Sequence, residues 1–159
     1  MITDPDMTRF VMSTDRAVEL VLKAAKMANG GEIFILKMPA VRVGDLADIM
    51  IKELSPVYGH KPQKIKTKIT GIRPGEKFHE ELMTEEESVW AKETKDMYVV
   101  QSPIELPAFI LRRPGVILRA PLTEAYASKR RKRLTSKEAQ ILTKKEIVTL
   151  LKKAKVLPA

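Results

Sequence analysis

Apolar residues recur at helical spacing in two stretches of the chain. The first follows a hydroxyl cap at Ser13-Thr14, with Asp15 in the first turn, and ends at residues 29–31, Asn-Gly-Gly. The second covers residues 45–54 and closes at Pro56. We predict an amphipathic helix in each stretch, with its apolar residues facing the core.

Three other stretches carry strand patterns. Residues 33–36 are continuously apolar between glycines and a proline, which is typical of a buried strand. Residues 64–69 alternate polar and apolar side chains, which predicts a half-exposed strand whose lysines protect a sheet edge. Residues 97–100 are the third strand candidate.

Two capping boxes, Thr-x-x-Glu, mark helix starts at residues 84–87 and 143–146. We predict that the first helix runs past Trp90 and that the second ends the chain. The prolines of residues 102–122 predict an extended connector between them. These elements indicate a small mixed α/β fold with a domain at 1–101, a connector at 102–142 and a C-terminal helix at 143–156.

The excess of positive charge lies in the C-terminal part of the sequence. The formal net charge is +9, but residues 111–159 hold 14 of the basic residues and three acids. Residues 1–110 hold 15 basic and 17 acidic residues. The cluster of basic residues at 129–133 therefore supports an alternative function, a small basic nucleic-acid-binding module. No aromatic residues interleave with this cluster and no helix-turn-helix or zinc motif accompanies it, which favours a solvated loop.

The sequence lacks the residues that several kinds of chemistry require. The chain has no cysteine and only two histidines, which argues against disulfides, thiolate catalysis and a histidine-rich metal site. Neither a long apolar run nor a signal peptide is apparent, so we expect a cytoplasmic protein that does not bind membranes. His79 with Glu80 and Glu81 lacks the spacing of a helical metal motif, so we interpret it as a solvated helix face.

The strongest local motif is Arg73-Pro74-Gly75-Glu76. A guanidinium suits phosphate oxygens, the Pro-Gly turn fixes its direction, and the carboxylate can accept hydrogen bonds from a ribose diol. Arg9, which precedes the first predicted helix, can add to a phosphate site. From spacing alone, an ordinary turn and an ordinary surface arginine remain the simpler readings of both motifs.

Taken together, these segments resemble one family. Residues 3–10 (Thr-Asp-Pro-Asp-Met-Thr-Arg-Phe), 17–21, 31–34, 43–47 and 71–77 (Gly-Ile-Arg-Pro-Gly-Glu-Lys), with the acidic stretches at 80–87, occur in the order found in extended short-chain dehydrogenase/reductases that act on sugar nucleotides. The chain is most similar to the C-terminal, substrate-binding part of the polysaccharide-biosynthesis UDP-N-acetylglucosamine 4,6-dehydratases and UDP-sugar 4-epimerases. The resemblance covers residues 2–100 and returns weakly at 142–146.

The resemblance implies a UDP-sugar site made of Arg9, Arg73, Gly75 and Glu76. In this site the two arginines contact the diphosphate and Glu76 lies near the ribose. The resemblance therefore favours a binding site over an ordinary turn at residues 73–76 and an ordinary surface arginine at Arg9. A complete family member also binds NAD(P) in a Rossmann domain and carries a catalytic Tyr and Lys. This chain has no Gly-x-Gly-x-x-Gly or Gly-x-x-Gly-x-x-Gly loop and no Tyr-x-x-x-Lys.

We therefore expect a UDP-sugar-binding domain that is not catalytic on its own, has no catalytic residues and binds no cofactor or metal. The resemblance implies a UDP-sugar as ligand and a Rossmann domain, which belongs either to a separate chain or to a longer polypeptide from which this domain is excised. An apolar surface normally covered by that domain also predicts self-association. The identity of the sugar, and the choice between dehydratase and epimerase, depend on residues outside this sequence.

Overall fold

The computed structural model describes residues 1–28, 30–101 and 132–158, which fold as a small mixed α/β protein. The chain divides into two compact units. The first unit contains Met1–Arg16, Met38–Glu81 and Thr135–Ala159, and the second contains Ala17–Lys37 and Leu82–Leu134. The first unit is therefore assembled from three separated parts of the chain.

Four α-helices lie in the described residues, with a 3-10 turn at Pro62–Lys64. The helices are α1 (Thr14–Met27), α2 (Val43–Leu54), α3 (Glu85–Val89) and α4 (Lys144–Lys153). The strands are β1 (Thr8–Phe10), β2 (Ile33–Leu36), β3 (Ala40–Arg42), β4 (Glu81–Met83), β5 (Ala91–Glu93), β6 (Met97–Val100) and β7 (Leu134–Thr135). Among these residues the sheets are β1-β3, β2-β6-β5 and β4-β7.

The core of the first unit joins α2, α4 and β3. Val41, Ile49 and Ile147 lie in one buried cluster with Leu142 and Leu157. β1 pairs antiparallel with β3, which places Arg9 opposite Val41. The loop before β1 packs on the start of α2, where the Gly44 N–H donates to the Pro5 carbonyl at 2.9 Å. A Cβ on Gly44 would lie 2.9 Å from the Pro5 Cβ, so this close approach requires glycine.

The second unit is built on the antiparallel sheet β2-β6-β5. Ile35, Tyr98 and Val100 pack there with Met83 in a buried cluster. At one end of the sheet, the Lys37 Nζ donates to the Glu93 Oε1 at 2.6 Å and lies 4.8 Å from the centroid of the Tyr98 ring. The hydrogen bond from Lys37 lowers the pKa of Glu93, although partial desolvation opposes it. This cluster ties β2, β5 and β6 together.

Most predicted elements are confirmed, and several details are wrong. Both amphipathic helices, both capping boxes and the strands at 33–36 and 97–100 are present. The helix after Thr84 ends at Val89 instead of passing Trp90, because β5 begins at Ala91. The strand β2 is less buried than predicted, with Ile33 56% exposed, because β2 is an edge of its sheet.

The predicted strand at residues 64–69 is also wrong. A 3-10 turn occupies Pro62–Lys64, and only Ile69 forms a bridge, a parallel one to Ile2. Alternation creates a strand only where a neighbouring backbone forms hydrogen bonds with it, and here that contact begins at Lys68, whose carbonyl accepts the Ile2 N–H at 2.9 Å. The 102–131 part of the predicted connector lies outside the described residues, and the proposed domain boundaries remain a prediction.

The apolar face predicted for α1 is only partly turned to the core. Leu20 is fully buried, and Ala17 and Ala24 are half-buried. Val18, Val21 and Leu22 are more than half exposed. A helical period shows which residues share a face but does not show what covers that face.

The capping box of α4 makes stability depend on pH. Glu146 accepts hydrogen bonds from the backbone N–H and the hydroxyl of Thr143 at 2.8 and 2.7 Å. These bonds, the backbone one first, lower the pKa of Glu146 below its ordinary value of 4.5. A carboxyl whose pKa is lower in the folded state stabilises the protein above its unfolded pKa, and this contribution is lost as the pH falls through the folded pKa.

We therefore expect wild type to melt at a higher temperature than Glu146→Gln at about pH 7, and the difference to shrink as the pH falls through the lowered pKa of Glu146. Calorimetric melting temperatures measured as the pH is lowered test the expectation. The exposed Glu86 lies outside the capping contacts of α3, so Glu86→Gln serves as the control. A difference between wild type and Glu146→Gln that does not change with pH would contradict the capping role of the carboxylate.

Candidate functional site

The predicted turn at residues 73–76 is present. The Glu76 N–H donates to the Arg73 carbonyl at 3.0 Å, and the Glu76 Oε2 accepts the Arg73 N–H at 3.2 Å. Gly75 has φ of +81°, a backbone conformation that glycine adopts without strain. These two hydrogen bonds fix the backbone of the turn at Arg73, and the Arg73 side chain extends into solvent. Among the described residues the Arg73 guanidinium has no hydrogen-bond or ion-pair partner.

Arg9 lies in β1 and is held on several sides by protein groups. Its Nη1 donates to the Thr8 carbonyl at 2.8 Å and to the Phe78 carbonyl at 3.2 Å. Its Nε lies 3.5 Å from a Glu80 carboxylate oxygen, and its Nη2 lies 3.6 Å from the Glu76 Oε1. The side chain of Arg9 is 27% exposed, so the guanidinium is both anchored and reachable from solvent.

Glu76 joins the two predicted motifs. The same carboxylate approaches the Arg9 guanidinium, accepts the Arg73 backbone N–H and receives the Thr3 hydroxyl at 3.3 Å. The structure therefore brings the residues predicted from sequence, Arg9, Arg73, Gly75 and Glu76, into one small region of the first unit.

The charges in this region balance. Arg9 is neutralised by two half-exposed carboxylates, while Arg73 carries an exposed charge. Phosphate oxygens match the guanidinium fork, so an anion can contact Arg73 directly but reaches Arg9 only by displacing Glu76 or Glu80. A displaced carboxylate is then free to accept hydrogen bonds from hydroxyl groups.

Sequence reasoning missed the polar residues that surround Arg9. Thr3, Thr8 and Glu80 lie in segments that carry the family resemblance, but no role was predicted for them, and Ser136 belongs to no predicted motif. The interpretation of His79 as a solvated helix face is wrong. His79 forms a parallel bridge to Thr8, and its Nδ1 lies 2.8 Å from the Thr8 Oγ1.

Three further predictions concern a metal site, a membrane span and the basic cluster at 129–133. Among the described residues, no group of three or more potential ligands could hold a metal ion. No described helix is long and apolar enough to cross a membrane. Of the basic cluster at 129–133, only Lys132 and Arg133 are described: the Lys132 N–H donates to the Ser88 hydroxyl at 3.0 Å and the Arg133 Nε lies 3.8 Å from Glu85.

The residues that the structure describes do not form the glycine-rich site of a dinucleotide cofactor. Such a cofactor needs glycines at a helix start, where the backbone approaches a pyrophosphate. Within the described helices only α2 has a glycine in its first turn, and the Gly44 N–H already donates to the Pro5 carbonyl. Pro5 also fills the space beside Gly44. No step of any reaction is assigned to NAD(P) on this chain.

Comparison with known proteins identifies a family and several relatives of this chain. Residues 1–102 match the family described as "Polysaccharide biosynthesis protein". An uncharacterized membrane protein of Methanocaldococcus jannaschii is 60% identical over 99 residues, covering 62% of this chain and 30% of that protein. A UDP-N-acetylglucosamine 4,6-dehydratase (inverting) of Campylobacter jejuni is 38% identical over 104 residues, covering 65% of this chain and 28% of the enzyme.

A UDP-glucose 4-epimerase of Rickettsia rickettsii is 37% identical over 97 residues, covering 61% of this chain and 26% of that enzyme. Among solved structures, Pen from Bacillus thuringiensis superimposes with a TM-score of 0.77 at 34% identity. The match covers 99% of this chain and 41% of Pen. The chain thus spans less than half the length of these relatives.

Proposed function

The chain belongs to the polysaccharide biosynthesis protein family, and on that premise we propose that it is the UDP-sugar-binding C-terminal part of a nucleotide-sugar 4,6-dehydratase or 4-epimerase. The observation that carries the proposal is the Glu76 carboxylate, which joins the half-exposed Arg9 to the turn that presents Arg73. The relatives named as dehydratase and epimerase both act on UDP-sugars, which supports UDP as the nucleotide.

Each residue has a role in this proposal. Arg73 captures the diphosphate, since its guanidinium is exposed and needs no rearrangement. Arg9 adds a second set of charge-assisted hydrogen bonds once a phosphate oxygen replaces a carboxylate. Glu76 then turns to the ribose hydroxyls, and Gly75 gives the turn the backbone angle that keeps Arg73 and Glu76 in place.

Catalysis requires a Rossmann domain in this proposal. That domain, in the same polypeptide or in a separate chain, would supply the cofactor site and the catalytic Tyr and Lys of a complete enzyme. Val18, Val21 and Leu22 on α1 are exposed apolar residues that such a domain, or a second copy of this chain, could cover. The sugar-processing step belongs to the assembled enzyme and not to this chain alone.

Titration calorimetry with UDP tests the proposal directly. We expect binding with a dissociation constant of about 1 mM, because a few exposed charge-assisted bonds supply only about 4 kcal/mol. Pyrophosphate should compete with UDP, and uridine, which lacks phosphate, should not bind. The absence of UDP binding at millimolar ligand, both with and without a Rossmann-domain partner, would overturn the proposal.

A further inference from the structure

Ser136 lies beyond the part of the chain that matches the family, and it is fully buried in contact with Thr8 and Glu80. Its backbone N–H donates to the Glu80 carbonyl at 2.8 Å, and its hydroxyl accepts the Glu80 N–H at 2.8 Å. Two hydrogen bonds therefore fix the backbone at Glu80, the residue whose carboxylate faces the Arg9 Nε.

The same hydroxyl also reaches β1. The Ser136 Oγ lies 2.6 Å from the Thr8 Oγ1 and donates to the Thr8 carbonyl at 3.2 Å. The Thr8 Oγ1 in turn lies 2.8 Å from the His79 Nδ1. Thr8 is only 3% exposed, so water cannot easily replace these contacts. Ser136 thus connects β1 to residues 78–80 through one buried polar network.

Every anchor of the Arg9 guanidinium belongs to this network or adjoins it, except Glu76 and the Met7 sulfur, which accepts a hydrogen bond from the Arg9 Nη2 at 3.4 Å. The Thr8 carbonyl accepts from both Arg9 and Ser136, and the Phe78 carbonyl accepts from Arg9 and from the Thr8 N–H. The Glu80 carboxylate projects from the backbone that Ser136 fixes. We infer that Ser136 is a positioning residue, which holds the Arg9 guanidinium in the direction needed to receive a diphosphate. The inference rests on the proposed function.

The physical reason is the cost of an unsatisfied buried group. Removing the Ser136 hydroxyl leaves the Glu80 N–H without its acceptor and removes one of the two partners of the Thr8 hydroxyl. The strand β1 and residues 78–80 can then recover hydrogen bonds only by moving. A displacement of about 1 Å at a charged binding group is enough to weaken binding strongly.

The experiment compares UDP affinity in Ser136→Ala and in a matched control. Ser55 is also a buried serine of the first unit, but its hydroxyl donates to the Ile51 carbonyl within α2 and does not contact the Arg9 network. We expect Ser136→Ala to weaken UDP binding about tenfold under conditions where it is fully folded by circular dichroism. Ser55→Ala should lower the melting temperature and leave the UDP dissociation constant unchanged.

A second readout does not depend on UDP. The NMR signal of the Arg9 Nε–H, assigned by its loss in Arg9→Lys, should shift in Ser136→Ala and stay in place in Ser55→Ala. Thr8→Val keeps the side-chain shape and removes the other hydroxyl, so it carries the same test if Ser136→Ala does not fold. The effects of the two substitutions on UDP affinity should be non-additive, because they break one shared contact.

The outcomes separate the inference from the function beneath it. If wild type does not bind UDP, the proposed function fails, while a shifted Arg9 signal in Ser136→Ala would still support positioning. If wild type binds UDP and both Ser136→Ala and Thr8→Val leave the affinity and the Arg9 signal unchanged, Ser136 has only a structural role and the inference is overturned.

Discussion

Arg73→Glu should abolish measurable UDP binding while the protein keeps its fold. The substitution removes a charge-assisted contact of about 1.5–3 kcal/mol and places a carboxylate against the phosphates. The expected loss of affinity is about 100-fold or more, which moves a millimolar constant beyond detection. Arg73 is exposed, and among the described residues its side chain has no partner, so stability should change by only about 0.5 kcal/mol.

Calorimetric titration with UDP and thermal melting measure the two effects separately. Lys95→Glu is the matched control, because Lys95 is an exposed lysine between β5 and β6 and its reversal changes the net charge equally. The control should bind UDP like wild type. If Arg73→Glu binds UDP as wild type does, or if both variants lose binding equally, then Arg73 makes no specific contact with the diphosphate.

Ile147→Ala should produce the largest loss of stability among single substitutions in the C-terminal helix. Ile147 is fully buried in a cluster with Val41 and Ile49, so α4 packs against β3 and α2. Truncation leaves a cavity and costs about 3 kcal/mol. For a chain of this length the melting temperature should fall by about 10 °C.

Val156→Ala provides the control, since Val156 is an apolar residue of the same segment and is 45% exposed. It should cost about 0.5 kcal/mol or less. Denaturant unfolding of both variants measures the difference. Equal small effects would mean that the helix at Lys144–Lys153 is an appendage and not part of the core of the first unit.

The four predicted site residues illustrate how much of the site a sequence can give. The turn at residues 73–76 was predictable because proline and glycine restrict the backbone locally, and it is confirmed. Its role in binding a diphosphate stays a prediction. No local rule could predict the contact of Arg9 with Glu76 and Glu80, which are distant along the chain, and only the family resemblance placed Arg9 and Glu76 in one site. Ser136 carried no sequence signal at all.

The fold likewise has elements that local sequence predicts and elements that it does not. The capping boxes at Thr84 and Thr143 predicted their helix starts because each is a set of hydrogen bonds among neighbouring residues. The short strands β1, β3, β4, β5 and β7 were missed, because two or three residues carry no period. The alternating stretch at 64–69 shows the opposite error, where a clear period was not matched by a pairing partner.

The sequence by itself determined the helix starts, the 73–76 turn, the small α/β class and the family, because each depends on local backbone preferences or on motifs read in order. The tertiary structure decided which strands pair, which face of α1 stays exposed, and how Glu76 and Ser136 surround Arg9. Those features depend on hydrogen bonds and burial between distant residues, and such contacts exist only once the chain has folded.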